Sequence, residues 1–155
     1  MLRLLALLIF VACSILETRA GKPHCTLRAH LETNASSGEV FSTTVHSGTT
    51  GREVTIEKIP AISERDVVAY EPHVAVDGTF GALFQLDDHG RIALDTLSLE
   101  KRGTSLHVFI NGRPMAEMEI DRHVADGILY VPSGLTSADL QSMKKDWPRI
   151  KRTRK

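Results

Sequence analysis

Cysteine is nearly absent from this chain. There are two, Cys13 and Cys25, and Cys13 falls in an apolar leader that reads as cleavable. One remaining thiol makes no internal disulfide, so an apolar core has to hold the fold together. Aromatic residues are scarce as well, at 5% with a single Trp. Neither sign of charge is in excess. Nineteen basic residues face 19 acidic ones, so no global field draws the chain to nucleic acid. Long apolar runs are missing after the first 16 residues, which leaves no spanning segment beyond the leader.

Catalytic and metal motifs are missing too. Seven His residues stand with no H-x-H, H-E-x-x-H or C-x-x-C spacing, the patterns that hold zinc. His24 and His30 share a parity opposite to Cys25, so a Cys/His pair is not expected there. Neither G-x-S-x-G nor G-x-x-x-x-G-K occurs, and the adjacent Asp87 and Asp88 suit helix capping better than acid/base work. The expectation is no catalytic residue, no metal and no cofactor.

The start, "MLRLLALLIFVACSILETRA", has Arg3 as a short positive region, an apolar stretch and small residues at positions 18 and 20. It is read as a signal peptide over residues 1–20, which implies a periplasmic or secreted protein. An uncleaved anchor and lipidation of Cys13 through "FVAC" rank behind it. Asn34-Ala35-Ser36 matches a glycosylation sequon, which carries no meaning in a bacterial protein.

Residues 21–147 are long enough for one core. Cys25, Leu27, Ala29 and Leu31 alternate with polar residues, the pattern of a half-buried strand. "VFSTTVHS" and "REVTIEKIP" read as further strands. Ser63 and Asp66 fit a capping box opening a short helical turn, and the run 67–70 reads equally as a strand ended before Pro72. Phe80, Ala82, Phe84 and Leu86 share a strand parity. From Asp87 or Asp88 the period becomes helical, with Ile92, Ala93, Thr96, Leu97 and Leu99 as the inward stripe. Lys101 and Arg102 fall in its last turn, and Gly103 is its left-handed cap. "GILYVP" reads as a short strand. Thr136 and Asp139 open a second helix, stapled by Leu135 and Leu140 and ended at Trp147-Pro148. Residues 148–155 form a basic tail. Strands with two segregated helices make an α+β domain with an antiparallel-rich sheet.

"LHVFINGRPMAEMEI" carries a parity conflict. A two-residue loop at Asn111-Gly112 would place Leu106, Val108 and Ile110 on the face opposite to Ala116, Met118 and Ile120. A three-residue loop with Gly112 left-handed and a G1 bulge removes the conflict and sets Val108 opposite Ala116. Phe109 then points away from that apolar face. It is either an exposed contact residue or covered by a second layer.

Four motifs follow one another in an order that resembles the periplasmic head subdomain of SecD, a subunit of the SecDF protein-export accessory complex. They are Glu57-Lys58-x-Pro60 with Ser63, Asp66 and Val67; Phe84, Leu86, Asp87 and Gly90; Asn111, Gly112 and Arg113; and Leu135, Thr136 and Asp139. The resemblance spans roughly residues 53–143. It implies a ferredoxin-like head that holds or guides unfolded polypeptide, here as a free-standing secreted domain. The proton-coupling membrane helices of SecD have no counterpart after the leader. The functional expectation is a non-enzymatic binding domain for peptide or envelope protein, with Phe109 and Arg113 as candidate contacts. Peripheral membrane contact through the basic tail is a further expectation. The rivals are a small metal-dependent or Cys/His hydrolase and a structural envelope lipoprotein.

Overall fold

A computed structural model describes residues 24–34 and 40–151. The leader with Cys13, two residues of the sequon and the last four residues of the tail lie outside them. The elements are β1 (Leu27–Leu31), β2 (Ser42–His46), β3 (Glu53–Glu57), β4 (Ile62–Ser63), a 3-10 turn (Glu64–Asp66), β5 (Val67–Val74), β6 (Phe80–Leu86), α1 (Asp88–Glu100), β7 (Ser105–Ile110), β8 (Arg113–Glu119), β9 (Ile128–Leu135) and α2 (Ser137–Asp146).

The strands form a four-stranded sheet in the order β4-β1-β7-β8, a three-stranded sheet β5-β6-β9 and the hairpin β2-β3. All the ladders are antiparallel, and with two helices this is the expected α+β class. Cys25, Leu27, Ala29 and Leu31 are all buried, as their alternation requires. One core joins Leu27 and Ile62 of the larger sheet, Phe84 and Leu129 of the smaller one, and Met143 and Trp147 at the C-terminal helix.

The helix ends follow local chemistry. Asp87 caps α1 by accepting from the Gly90 N–H at 2.8 Å. Thr136 and Asp139 form a reciprocal capping box on α2, with Leu135 fully buried before it. The inward stripe of α1 differs from the expected one. Gly90, Leu94 and Ser98 are buried, whereas Ile92 and Leu99 are more than half exposed. The reason is close approach. A Cβ on Gly90 would stand 2.8 Å from the Asp66 Cβ and 3.1 Å from that of Leu86. The smallest residue therefore faces the sheet, and hydrophobicity alone misplaces the stripe. The helix also stops at Glu100, which leaves Lys101 and Arg102 beyond its last turn; Gly103 is left-handed, with φ +79°.

Three prolines lie inside strands: Pro72, Pro114 and Pro132. The capping-box turn is present and the run after it is a strand, but β5 continues through Pro72 to Val74. Tyr70 directs its N–H and C=O outward, to Pro148 and from Ile150. Two residues on, the Pro72 nitrogen faces the same outer edge, where a missing N–H leaves the β6 ladder intact. β9 likewise runs through Pro132. Its register against β6 shifts between the Phe80↔Leu135 and Ala82↔Val131 pairs, which accommodates two extra β9 residues.

The 106–120 hairpin resolves its parity conflict with one bulge, at a different place from the expected one. Asn111 and Gly112 have φ 51° and 75°, a two-residue type I′ turn, and Ile110 pairs with Arg113. The extra residue enters lower down. Phe109 pairs with Pro114, while Val108 pairs with Ala116, so Met115 is the bulged residue. Leu106 and Val108 therefore share a side with Met118 and Ala116 as expected, whereas Ile110 stands opposite Arg113 rather than an apolar partner. No neighbouring atom lies within 4 Å of a Cβ built on Gly112. Gly112→Ala is thus expected to cost only the left-handed strain, about 1 kcal/mol, in urea unfolding.

The second face of the four-stranded sheet is polar and covered by β2–β3. His30 Nδ1 is 2.7 Å from the Glu57 carbonyl, the Ser47 hydroxyl donates to Glu117, and Gly48 packs on Pro114.

Candidate functional site

The two larger sheets present open edges to one another. β8 ends the four-stranded sheet and β9 ends the three-stranded one, with no ladder between them. At one end they touch, Met115 lying against Gly134. Toward the other lies a groove of about 840 Å³, lined by Leu94 and Leu97 of α1, Met118 of β8, Ile128 and Tyr130 of β9, and Val124 of the intervening loop.

The strand phase decides which backbone groups face this groove. Ile120 donates to Thr104 and accepts from Gly103. Alternation then turns Met118 and Ala116 toward β7, and Glu117 and Glu119 outward. On β9 the Gly127 carbonyl accepts from Leu86, so Leu129 and Val131 face β6 while Ile128 and Tyr130 turn outward. The Ile128 N–H is taken by Asp126 at 3.0 Å. The wall of an apolar groove therefore carries backbone donors and acceptors in strand phase, the arrangement that accepts an added strand.

Arg113 and Phe109 lie elsewhere. The Arg113 guanidinium pairs with Asp139, which also accepts from the Asn111 amide at 2.9 Å and from the Thr136 N–H at 2.8 Å. Asn111 in turn accepts from the Thr26 N–H at 3.1 Å. Burial would raise the Asp139 carboxyl, but donation from Thr136, Arg113 and Asn111 outweighs it and holds it down at about 2. This is a clamp between the hairpin tip and the start of α2. Phe109 is half-buried on the face covered by β2–β3, edge-on to the His30 ring at 5.7 Å. Tyr130, at the groove and 46% exposed, is the aromatic that the sequence reading missed. Its signal was available, since it interrupts the buried pair Leu129 and Val131 on the opposite parity, the same argument that singled out Phe109.

Two clusters offer metal-ligand atoms within 4.8 Å of one another. In the first, His107 has Nε2 3.2 Å from Glu32 and Nδ1 3.9 Å from Glu117. The contact with Glu32 is a hydrogen bond, and Glu117 lies at ion-pair distance from the other ring nitrogen. In the second, Asp66 already accepts from the Ser63 N–H and hydroxyl and pairs with His89 at 2.8 Å, while Asp87 caps α1. Burial pushes the Asp66 carboxyl up, but those bonds outweigh it and keep it below the ordinary range. Cys25 is fully buried. Burial, then the negative charges of Asp139, Asp146 and Glu64, push its thiol up to about 12. It is protonated and inert at neutral pH, and His24 turns instead to Asp146 at 2.8 Å.

The groove and the two open edges belong to a small α+β domain. No protein-family model matches the chain, and no curated protein does. Solved structures do. The crystal structure of SecDF in super-membrane-facing form aligns with a TM-score of 0.51 at 12% identity, over 76% of this chain and 18% of that one. A structure of SecDF, described as a membrane component that enhances protein export, aligns with a TM-score of 0.54 at 12% identity, over 84% of this chain and 69% of that one. This chain thus spans less than a fifth of the first. At such identity the likeness is one of fold, and the fold is SecD-like. Among the described residues no helix is long and apolar enough to cross a membrane.

Proposed function

We propose that this domain is a non-enzymatic, extracytoplasmic module that holds an extended, partly apolar stretch of polypeptide in the groove between β8 and β9. The observation that carries the reading is two open strand edges flanking one apolar groove. A peptide strand there bonds to the outward backbone groups of Glu117, Glu119 and Tyr130 and sets alternate side chains against Leu97 and Met118. Main-chain bonds give affinity with little sequence preference, which suits a client that has not yet folded. The fold likeness to a protein described as enhancing export supports the same reading, and the leader supports the location. Phe109 and Arg113 are reassigned here to a covered face and a clamp, and the contact passes to Met118 and Tyr130.

The test is fluorescence anisotropy with a labelled extended peptide of alternating apolar residues. Glu119→Pro removes one outward N–H without touching the β7 ladder, and is expected to weaken binding about fivefold, the worth of one hydrogen bond. Met118→Ser is expected to weaken it by a similar factor. Peptide binding that neither variant changes, or no binding by the parent chain, overturns the reading.

A further inference from the structure

The polar face of the four-stranded sheet carries a charged cluster that the groove does not use. His107 on β7 stands opposite Glu117 on β8 and opposite His30 on β1. Glu32 continues β1, its N–H donating to Ser105 at 2.8 Å. It follows His30 by two residues, so strand alternation puts it on the same face. Three neighbouring strands thus bring Glu32, His107 and Glu117 together, with donor atoms all within 4.8 Å of one another. No spacing motif marks the set, because its members come from three strands. His107 is 4% exposed. Among the described residues no Lys or Arg pairs with either carboxylate, and their ionic partner is His107 itself. Two negative charges therefore face at most one positive charge, on the imidazole.

The contacts of the imidazole fix which nitrogen does what. A carboxylate only accepts, so the Nε2 that lies 3.2 Å from Glu32 carries the ring hydrogen. In the neutral ring Nδ1 then presents a lone pair. It has no hydrogen-bond partner among the described residues and faces a Glu117 oxygen 3.9 Å away. That gap is too long for a hydrogen bond, and it leaves two acceptors facing each other on a covered surface. It falls within the span of two donors that each stand about 2.0–2.2 Å from one zinc ion. The Glu117 oxygen is itself held in place. It accepts from the Ser47 hydroxyl, and Ser47 Oγ accepts from the Thr49 and Thr50 N–H groups at 3.2 and 3.0 Å. A ring N–H fixed by one carboxylate, with the opposite lone pair aimed at a second ligand, is how metal-binding histidines are oriented.

We infer that this cluster binds a divalent transition-metal ion of the zinc type. His107 Nδ1 and the Glu117 carboxylate are the ligands, Glu32 orients the ring from behind, and water completes the shell. The Glu117 side chain is 21% exposed, which gives the ion a way in. A nitrogen paired with a carboxylate oxygen suits zinc, whereas magnesium and calcium take oxygen ligands. The ion offsets the excess negative charge and braces β8 against the Ser47 end of the β2–β3 hairpin. Glu117 reaches the ion with its side chain, on the covered face. Its main chain stays on the groove edge, so the ion and a peptide do not compete.

Isothermal titration calorimetry of the chain beginning at Gly21, which keeps every described element and omits the apolar leader, tests this directly. The probes are zinc chloride and magnesium chloride. One zinc ion per chain is expected to bind, and no magnesium. His107→Gln and Glu117→Gln are each expected to abolish zinc binding. Glu117→Gln still accepts from Ser47, so it decides the matter if Trp fluorescence shows His107→Gln to be unfolded. Glu32→Gln is expected to weaken binding about tenfold by loosening the ring. His24→Gln, His89→Gln and Met118→Ser are expected to leave it unchanged, which separates this cluster from the surface histidines and from the groove. Absence of zinc binding means that a proton alone sits between His107 and Glu117, and it overturns the inference. Zinc binding that survives Glu117→Gln, or that His24→Gln or His89→Gln removes, overturns it as well.

Discussion

Asp139→Ala is expected to lower the unfolding free energy by about 3 kcal/mol, because it leaves charged and polar partners without an acceptor. Asp139 is 5% exposed. It is at once the third residue of the α2 capping box and the counter-ion of Arg113 across the hairpin tip. Truncation therefore removes a cap and strands a guanidinium in one step. Asp139→Asn can still accept from Thr136 but offers no charge to Arg113, and should fall between. Urea unfolding followed through the single Trp reads both. A loss below about 1 kcal/mol for the alanine variant would show that the tip and helix are not clamped. The same group gives an acid signature. Its folded carboxyl lies at about 2 against an ordinary 3.8. Its stabilisation is therefore complete above about pH 4 and is lost as pH falls toward 2, to the extent of about 2 kcal/mol. Asp139→Ala flattens that part of the acid limb. Asp66 and Asp146 are also held low and keep a residual slope.

Asp139 also shows what could be read without coordinates. Its capping box was legible, because Thr136 and Asp139 stand three apart and a cap needs nothing beyond its own turn. Asp87 and the box at Ser63 and Asp66 were legible for the same reason, and so was the strand parity of Leu27, Ala29 and Leu31. The partnership with Arg113 was not. It joins residues 26 apart, and no local rule states that a hairpin tip will meet a helix start. Arg113 accordingly looked like a free contact residue. The inward face of α1 failed for a related reason. Gly90 faces the sheet because Asp66 and Leu86 stand too close for any side chain, and hydrophobic spacing is blind to a position chosen for lack of volume. Pro72 read as a strand breaker because edge position, which makes a missing N–H harmless, is a property of the sheet and not of the strand. The groove lay furthest from reach. Its walls come from α1, β8 and β9, and it exists only because two sheets stop short of joining.

Phe84→Ala is expected to be the most damaging single change, costing about 3–5 kcal/mol. Phe84 is fully buried at the centre of β6, paired with Tyr70 on one side and Leu129 on the other. Its ring meets that of Trp147 edge-on, with centroids 5.9 Å apart at 84°, a geometry worth about 1 kcal/mol beyond the area buried. Trp147 is the residue at which α2 ends and the chain turns toward the outer edge of β5. Removing the ring therefore opens a cavity in the middle strand and loosens the docking of the C-terminal segment together. Two readouts separate these effects. The urea midpoint falls with the cavity. The emission of Trp147, 7% exposed in the parent, shifts to the red only if the indole loses its cover. Phe84→Leu refills most of the volume without restoring the edge-to-face contact, so it should recover much of the stability and leave the emission shifted. An unshifted emission in both variants would mean that Trp147 is held by the rest of the core rather than by Phe84. The two halves of the core would then be coupled through α2 itself and not through the aromatic pair.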